Sequence, residues 1–287
     1  MPTRVSRQRE LILEAFRRVP LLAAWGEEDL ARLASSAGLW RFAKGELICS
    51  EADRASHFSV LASGATQSTR TWANGKHMIA AIFQPPALLQ LNAAVDGLNE
   101  PWTISAREEA LVVLTPRKIF VDIVRADAEK AFDLACYLTF RSRIEYLGLQ
   151  IERMGSQRKD LAAKLYHLAR QASFYPSGAS EAPDRPTLVA ATQDDIAAMM
   201  NASRQTVNRI MAPLLRNGTL KREGNKIRIV NFMKFIEVLD EGDPVTGRWR
   251  AEILEWHERF SHSKPASHGV RRGASDHRPP APGTEPR

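Results

Sequence analysis

Hydrophobic and polar positions change their spacing along the chain, and each change predicts a different kind of element. Between about residues 20 and 116, short apolar runs such as 46–49, 57–61 and 110–114 are separated by Gly and Pro. Many short strands at this spacing are typical of a sheet that closes into a roll or sandwich. A helix at about 26–35 is predicted to precede the strands, and helical spacing returns beyond residue 128.

A long helix is predicted over about 128–155, where apolar positions alternate by three and four residues. These positions are Tyr137, Phe140, Ile144, Leu147, Ile151 and Met154. Spacing of about 3.5 residues over nearly three heptads is the pattern of a coiled-coil seam. Charged residues surround this stripe, which favours a two-fold homodimer. The alternative is a helix that packs the same stripe on its own domain.

The segment 192–210 predicts two capped helices joined by a tight turn. Thr192 and Ser203 are good N-cap residues, and Asn201 tolerates the left-handed conformation that ends a helix. The outer face of the second helix carries Arg204, Gln205, Asn208 and Arg209. In a helix-turn-helix, such side chains enter the major groove, where Arg suits guanine and Gln or Asn suits adenine.

A short basic hairpin is predicted directly after this helix pair. Residues 219–222 and 226–230 alternate apolar and polar positions around a Glu-Gly-Asn turn, which is typical of a wing. Residues 203–228 contain seven Arg and Lys but only one acid, Glu223. We therefore expect DNA binding rather than a solvated helical hairpin. Arg204, Gln205 and Arg209 are predicted to read bases or fix register, and Thr192, Ser203, Thr206 and Lys226 to support phosphate contacts.

Composition narrows the remaining classes of protein. The chain has 287 residues, 44% hydrophobic residues and a net charge of +7, which suits two folded domains and a polyanionic partner. Its two cysteines, Cys49 and Cys136, exclude a disulfide framework, a four-cysteine cluster and a zinc ribbon. No apolar run is long enough for a membrane span, so a cytoplasmic protein is expected. The predicted regions are a basic tail (1–19), the roll (20–127), the long helix (128–155), the winged helix-turn-helix (156–260) and a disordered tail (261–287).

This order of elements resembles the cyclic-AMP receptor/Fnr (Crp/Fnr) family of bacterial transcription regulators. Residues 203–209, Ser-Arg-Gln-Thr-Val-Asn-Arg, are similar to that family's S-R-E-T-V-x-R, and the resemblance is looser at 42–48, 51–53 and 63–64. It implies an α+β fold with an N-terminal cyclic-nucleotide-binding-like β-roll, a dimerisation helix and a C-terminal winged helix-turn-helix. It also implies a palindromic DNA operator, a second copy of the chain and RNA polymerase as partners.

Two residues of the recognition helix depart from the family pattern. Gln205 replaces a glutamate that accepts from cytosine, so the preferred base pair is expected to change towards adenine. Pro213 removes a hydrogen bond to the carbonyl of Arg209 and is expected to bend or shorten the second half of the helix.

The family's cyclic-nucleotide cassette is altered in this chain. Where the family has G-E and, ten residues on, R-S, this chain has Leu89-Gln90 and Glu100-Pro101. Glu100 replaces a cation by an anion, and Pro101 removes a hydroxyl and a backbone donor. We expect neither cyclic-AMP binding nor a bound cofactor.

Other effectors stay open as alternatives. His57 or His77 are the candidate haem ligands, Cys49 or Cys136 the candidate redox thiols, and Trp72, Phe83 and Trp102 the candidate lining of an apolar pocket.

A β-roll metalloenzyme is the competing class of protein. It is disfavoured because His57, His77, Asp53 and Glu46 lack metal-ligand spacing. A regulatory subunit without DNA contact is disfavoured by the basic wing.

Overall fold

The structure, a computed structural model, describes residues 2–4, 8–75, 77–153, 156–173, 187–230 and 235. The segment from 236 onwards, which includes the predicted disordered tail, lies outside the described residues. The described helices are α1 (Arg9–Arg18), α2 (Pro20–Ala23), α3 (Glu27–Ser35), α4 (Leu91–Asp96), α5 (Arg117–Ala126), α6 (Ala128–Arg153), α7 (Gln157–Ser173), α8 (Gln193–Met199) and α9 (Arg204–Arg216). None of these described helices is long and apolar enough to cross a membrane.

The described strands divide between an N-terminal roll and a C-terminal sheet. They are β1 (Thr3–Arg4), β2 (Gly38–Phe42), β3 (Leu47–Cys49), β4 (His57–Ser63), β5 (Thr66–Thr71), β6 (His77–Phe83), β7 (Ala87–Leu89), β8 (Thr103–Ala106), β9 (Ala110–Pro116), β10 (Thr187–Thr192), β11 (Leu220–Glu223) and β12 (Lys226–Ile229). The roll consists of a sheet with the order β1-β2-β9-β4-β7 and a sheet with the order β3-β8-β5-β6. The predicted α+β class with a β-roll is confirmed.

The β4–β5 turn at Ser63-Gly64 shows why glycine is needed there. Gly64 has φ +81°, and a Cβ at this position would lie 2.2 Å from the carbonyl oxygen of Glu109. A side chain would therefore both strain the backbone and clash with the neighbouring turn.

Helix α5 closes one end of the roll. Phe120 stacks on Phe58 of β4 with ring centroids 4.2 Å apart, and on Trp25 at 6.0 Å. Phe58 and Phe120 are almost fully buried, so the roll and its flanking helices share one apolar core.

The N-terminal segment corrects the predicted boundary at residue 19. Helix α1 buries Ile12, Ala15 and Phe16 in the core of the roll. Arg9 and Arg17 lie on the exposed face of α1, where Arg17 pairs with Glu27 at 2.7 Å. An amphipathic helix with few apolar residues reads as polar in composition, although its apolar face is buried.

Helix α6 packs much of the predicted seam on its own chain. Tyr137 is buried in the roll core, and Phe140 is buried in a second cluster that belongs to the C-terminal domain. The side chains of Ile144, Leu147 and Ile151 and the whole of Met154 lie outside the described part of the structure. The first half of this stripe thus follows the alternative of packing within one protomer.

The C-terminal domain is a helix-turn-helix with a wing. Helices α7, α8 and α9 pack around Leu165, Ile196, Val207 and Met211, and the sheet β10-β12-β11 covers them. Strand β10 was not predicted, although its Leu-Val-Ala-Ala run is apolar. It makes the wing a three-stranded sheet rather than an isolated hairpin, which adds stability.

The roll and the C-terminal domain are in direct contact. Strand β6 lies against α7 and α8, and Ile79 and Ile82 of β6 are buried in the same cluster as Ile196 of α8. The helix pair is therefore seated on the roll as well as joined to it through α6.

We predict that Phe16→Ala lowers the free energy of unfolding by about 3–5 kcal/mol, because a buried aromatic side chain leaves a cavity in the core. Leu11→Ala on the exposed side of α1 is the matched control, with an expected change below about 0.5 kcal/mol. Urea unfolding followed by tryptophan fluorescence measures both. Equal effects would show that α1 is not part of the core.

Candidate nucleic-acid interface and effector cleft

Helix α8 begins with a complete capping box. The Thr192 hydroxyl accepts from the Asp195 backbone N–H at 3.2 Å, and Asp195 Oδ2 accepts from the Thr192 backbone N–H at 2.7 Å. This satisfies two backbone donors that the first turn leaves unpaired. The prediction of Thr192 as an N-cap is confirmed. Its hydroxyl also donates to Asp195 Oδ2 at 2.8 Å, so the cap already occupies it.

The turn between α8 and α9 has the predicted chemistry. Asn201 has φ +49°, and the backbone N–H of Ala202 donates to the carbonyl of Ala197. Ser203 caps α9 by accepting from the Thr206 N–H at 3.1 Å, and the hydroxyls of Ser203 and Thr206 lie 2.9 Å apart. The cap fixes the first turn of α9, where a recognition helix carries its reading side chains.

The first turn of α9 presents its long polar side chains to solvent. Arg204, Gln205 and Arg209 are exposed, whereas Val207 and Met211 are fully buried on the opposite side. Arg204 lies 3.2 Å from Asp194, in a pair in which both side chains are about two-thirds exposed (64% and 66%). Such a pair contributes little energy, so Arg204 is free to exchange this partner for another.

Asn208 lies in a polar network rather than on the open edge. Its Oδ1 accepts from Arg222 Nη2 at 3.0 Å, which joins α9 to the wing. With the Gln193 amide turned to satisfy its neighbours, the Gln193 nitrogen donates to Asn208 Oδ1 at 2.8 Å and its oxygen accepts from Arg222 Nη2 at 2.9 Å. The structure therefore places Asn208 where it positions Arg222. Sequence spacing put it on the outer face but had no information on this partner.

The wing carries a second row of cations beside α9. Lys221, Arg222 and Lys226 are exposed on β11 and β12. Arg228 binds Glu223 across the hairpin at 2.8 Å, and this hydrogen bond lowers the pKa of the Glu223 carboxyl. The only acid of the wing is thus paired within it, while the exposed cations face outward.

Pro213 does not shorten the recognition helix. Helix α9 continues to Arg216 and ends at Asn217, whose N–H donates to the carbonyl of Pro213. Pro213 is exposed, so its ring does not disturb the packed side of the helix. Of the expected bend or shortening, the shortening was wrong, since water can donate to the carbonyl of Arg209 in place of the missing N–H at an exposed position.

Three of the four altered cassette residues are buried in the roll. Leu89 and Gln90 are buried where β7 runs into α4, and Gln90 has the left-handed φ of +56°. Glu100 is also buried, with only 9% of its surface exposed, and its Oε2 has no hydrogen-bond partner. Pro101 lies beside it and is exposed.

The electrostatics of this position are unlike those of a phosphate site. Burial raises the pKa of the Glu100 carboxyl, Arg141 opposes this, and Asp96 reinforces it. Burial likewise raises the pKa of the Cys49 thiol to about 12, with Glu100 adding to the effect. The raised pKa values of Glu100 and Cys49 indicate that this part of the roll disfavours negative charge. A bound phosphate would bring negative charge to it.

A cleft of about 370 Å³ lies between α4 and α6 on this side of the roll. Its lining mixes polar and apolar surface and consists of Asn92, Val95, Asp96, Leu138, Arg141, Ser142 and Glu145. Trp72, Phe83 and Trp102, the candidates for an apolar pocket, are not part of this lining.

The candidate ligand and metal residues remain dispersed. His57 Nδ1 lies 2.8 Å from Ser56 Oγ, and His77 Nδ1 lies 3.1 Å from Thr71 Oγ1. No group of three or more metal-ligating side chains occurs among the residues that the structure describes.

One further contact of the helix pair had no signal in the sequence. Arg107, in the turn between β8 and β9, forms a bidentate ion pair with Asp195 of α8. Burial would raise the pKa of Asp195, but the Arg107 guanidinium and the Thr192 donors outweigh it and lower this pKa.

Comparison with protein families and known structures identifies both domains. The Cyclic nucleotide-binding domain family matches residues 39–127, and the Crp-like helix-turn-helix domain family matches residues 161–237. Together they match more than half of the chain. None of the curated proteins compared with the chain matches it.

Several solved structures share the fold at low sequence identity. FixK2 from Bradyrhizobium japonicum is 19% identical, with a TM-score of 0.58 over 70% of this chain and 96% of that one. A CooA mutant from Carboxydothermus hydrogenoformans is 16% identical, with a TM-score of 0.55 over 72% and 89%. A putative cyclic nucleotide binding protein from Ruegeria pomeroyi is 18% identical, with a TM-score of 0.53 over 82% and 100%.

With a roll of the cyclic-nucleotide-binding type, a Crp-like helix-turn-helix and the order of elements that joins them, the chain belongs to the Crp/Fnr family of transcription regulators.

Proposed function

We propose that this regulator binds a palindromic DNA operator as a homodimer and that its sensor domain does not bind cyclic AMP. The observation that carries the proposal is the exposed face of the first two turns of α9, where Arg204, Gln205 and Arg209 extend from a helix whose other side is fully packed. RNA polymerase is the further partner expected of such a regulator, and the cytoplasm is where it would meet its operator.

The arrangement of charge supports base reading flanked by phosphate contacts. Arg204 and Gln205 lie at the start of α9, the part of a recognition helix that meets base edges. Lys221, Arg222 and Lys226 on the wing flank this turn and suit the phosphate backbone. Asn208 contributes to this interface through Arg222, whose guanidinium it holds against α9.

Arg204→Ala is expected to weaken binding to the selected operator by about 1–3 kcal/mol and to relax discrimination at one base pair, because a bidentate contact to guanine is lost. Arg216→Ala, at the far end of the same helix, is the matched control and should leave base preference unchanged. Footprinting and quantitative gel shifts measure both variants. Protection of the same operator at an unchanged concentration of Arg204→Ala would contradict the assignment.

The dimer seam that the structure supports lies on the face of α6 opposite Tyr137 and Phe140. Among the described side chains of this helix, three large apolar ones are exposed: Phe132 (66%), Tyr146 (67%) and Leu149 (50%). Together with the exposed Ala135, Thr139 and Ser142 they form a stripe that alternates by three and four residues. An exposed heptad stripe of this kind suits the seam of a two-fold coiled coil.

The double variant Tyr146→Glu with Leu149→Glu should raise the dissociation constant of the dimer at least about tenfold, because it places unpaired charges in an apolar seam. Leu11→Glu, which charges an exposed leucine on α1, is the control and should remain dimeric. Analytical ultracentrifugation distinguishes the two states. A double variant that dimerises like the wild type would exclude this seam.

The chemistry of the cassette argues against cyclic nucleotide, and the raised pKa of the Cys49 thiol argues against a redox effector. Glu100 stands where a phosphate requires a cation, and its buried Oε2 would face the ligand's negative charge. A thiol with the raised pKa of Cys49 forms little of the reactive thiolate. A polar effector of the cleft between α4 and α6 is the second candidate for the sensor, supported by its lining of Asn92, Arg141 and Glu145.

We expect no heat of binding when cyclic AMP is titrated into the protein in a calorimeter, because the cassette lacks a phosphate-binding cation. The variant Glu100→Arg with Pro101→Ser restores a cation and a hydroxyl, and it tests whether the cassette alone excludes the nucleotide. Micromolar affinity of the wild-type protein for cyclic AMP would overturn this part of the proposal.

A further inference from the structure

An ion pair between the roll and the helix-turn-helix joins the two domains of one protomer. Arg107 Nη1 and Nη2 lie 2.9 and 2.6 Å from Asp195 Oδ1 and Oδ2, and Arg107 Nη1 also donates to Gln67 Oε1 at 2.8 Å. The two side chains are only 19% and 13% exposed. This is a bidentate contact in which both charges are largely removed from water.

Both sides of the ion pair are held in place by their own domains. The backbone N–H of Arg107 donates to the carbonyl of Ala65 at 2.8 Å, which anchors the β8–β9 turn to the turn between β4 and β5. Asp195 accepts from the backbone N–H and the hydroxyl of Thr192, the N-cap residue of α8. The contact therefore connects two rigid positions and has little freedom to follow a change in domain orientation.

The free energy of the Arg107–Asp195 pair favours a fixed domain orientation more than it stabilises the fold. Removing a carboxylate and a guanidinium from water costs several kcal/mol, and the attraction between them repays this only when the geometry is correct. A planar guanidinium meets a carboxylate with two parallel hydrogen bonds only over a narrow range of angles. Apolar contacts of Ile79 and Ile82 with the C-terminal domain tolerate sliding, whereas this pair does not.

The orientation that the pair holds is passed on to the recognition helix. Helices α8 and α9 share the core formed by Ile196, Val207 and Met211, so they move as one unit. Helix α6 is fixed to the roll through Leu134 and Tyr137. The pair thus sets the angle between α9 and the helix that we propose as the dimer seam.

The reading edge and the ion pair do not compete for the same surface. Arg204, Gln205 and Arg209 remain exposed while Asp195 is in contact with the roll. DNA contact by α9 therefore does not require the pair to break.

We infer that Arg107 is a positioning residue for DNA recognition: by binding Asp195 it holds α9 at the angle at which both recognition helices of a dimer meet the two halves of an operator. This inference rests on the proposed function. Two recognition helices must lie about 34 Å apart to enter successive major grooves. Without the Arg107–Asp195 ion pair, the orientation of α8 and α9 in each protomer must be fixed when DNA binds. This weakens binding to a complete palindrome, which both protomers contact, but not binding to a single half-site.

The test compares Arg107→Gln with the wild type on two duplexes. One is the palindromic duplex that the wild-type protein enriches from a random-sequence pool, and the other contains a single half of it. Arg107→Gln should bind the palindrome at least about fivefold more weakly, the low end of typical coupling between sites, and bind the half-site with little change. Equal or tighter binding of the palindrome would overturn the inference.

Arg41→Gln is the matched control. Arg41 pairs with Glu109 in the same β8–β9 turn at 3.0 Å, but this exposed contact stays within the roll. This variant removes a positive charge from β2, at an ion pair with the same turn, without touching α8. It should leave binding to both duplexes unchanged.

Two further variants separate positioning from general damage. Asp195→Asn keeps an acceptor for the Thr192 N–H and should bind the palindrome as weakly as Arg107→Gln does. The double variant of Asp195→Asn with Arg107→Gln should bind the palindrome no more weakly than either single variant. Hydrogen exchange in β6 and α8 should be faster in Arg107→Gln than in Arg41→Gln, at equal melting temperature of the roll. Unchanged exchange would overturn the inference as well.

Failure of the proposed function has a different signature. If the wild type enriches no duplex from the pool at low ionic strength, DNA binding itself is excluded. If it enriches a palindrome that Arg107→Gln binds equally well, DNA binding stands and only the role of Arg107 fails.

Discussion

The ion pair between Asp195 and Arg107 is the interaction on which our account of the domain arrangement depends. Within its own domain the Asp195 carboxylate completes the capping box of α8, and across the domain boundary it binds Arg107. One charged group thus satisfies the start of a helix and compensates a buried cation of the roll. Removal of either partner would leave a largely buried charge without compensation, so local helix chemistry and domain orientation depend on each other.

Helix α6 has two apolar faces, one that packs within the protomer and one that is exposed. One face is buried by Leu134, Tyr137 and Phe140 within the protomer, and the opposite face exposes Phe132, Tyr146 and Leu149. A helix that is apolar on two faces has little overall amphipathicity, because the two stripes cancel. The sequence of α6 therefore contains two apolar stripes, and their periodicity alone does not tell which of them is exposed.

The sensor domain retains the framework of its family while the chemistry at the cassette is changed. Gln90 is buried where β7 runs into α4, and Glu100 is buried in the loop that follows α4, so both cassette positions lie inside the roll. A buried carboxyl beside Asp96 favours its neutral form, as the raised pKa of Glu100 indicates. The position accordingly suits a hydrogen-bonding or cationic group better than an anion.

Local chemistry made much of the DNA-binding domain predictable. Caps, turns and the alternation of the wing depend on residues close together in the chain, and therefore Thr192, Asn201 and Ser203 could be placed correctly without a structure. The order of domains and the β-roll followed from the spacing of apolar runs and from the resemblance of the recognition-helix motif.

What depended on distant residues could not be predicted in this way. The sequence by itself determined which elements form and which side chains they carry: the roll, the long helix, and the basic helix-turn-helix with its wing. Only the tertiary structure decided that α1 is core, that Asn208 holds Arg222, which face of α6 stays open, and that Arg107 meets Asp195. The reason is physical: propensity and periodicity act over a few residues, whereas burial and ion pairing depend on surfaces brought together from far apart in the chain.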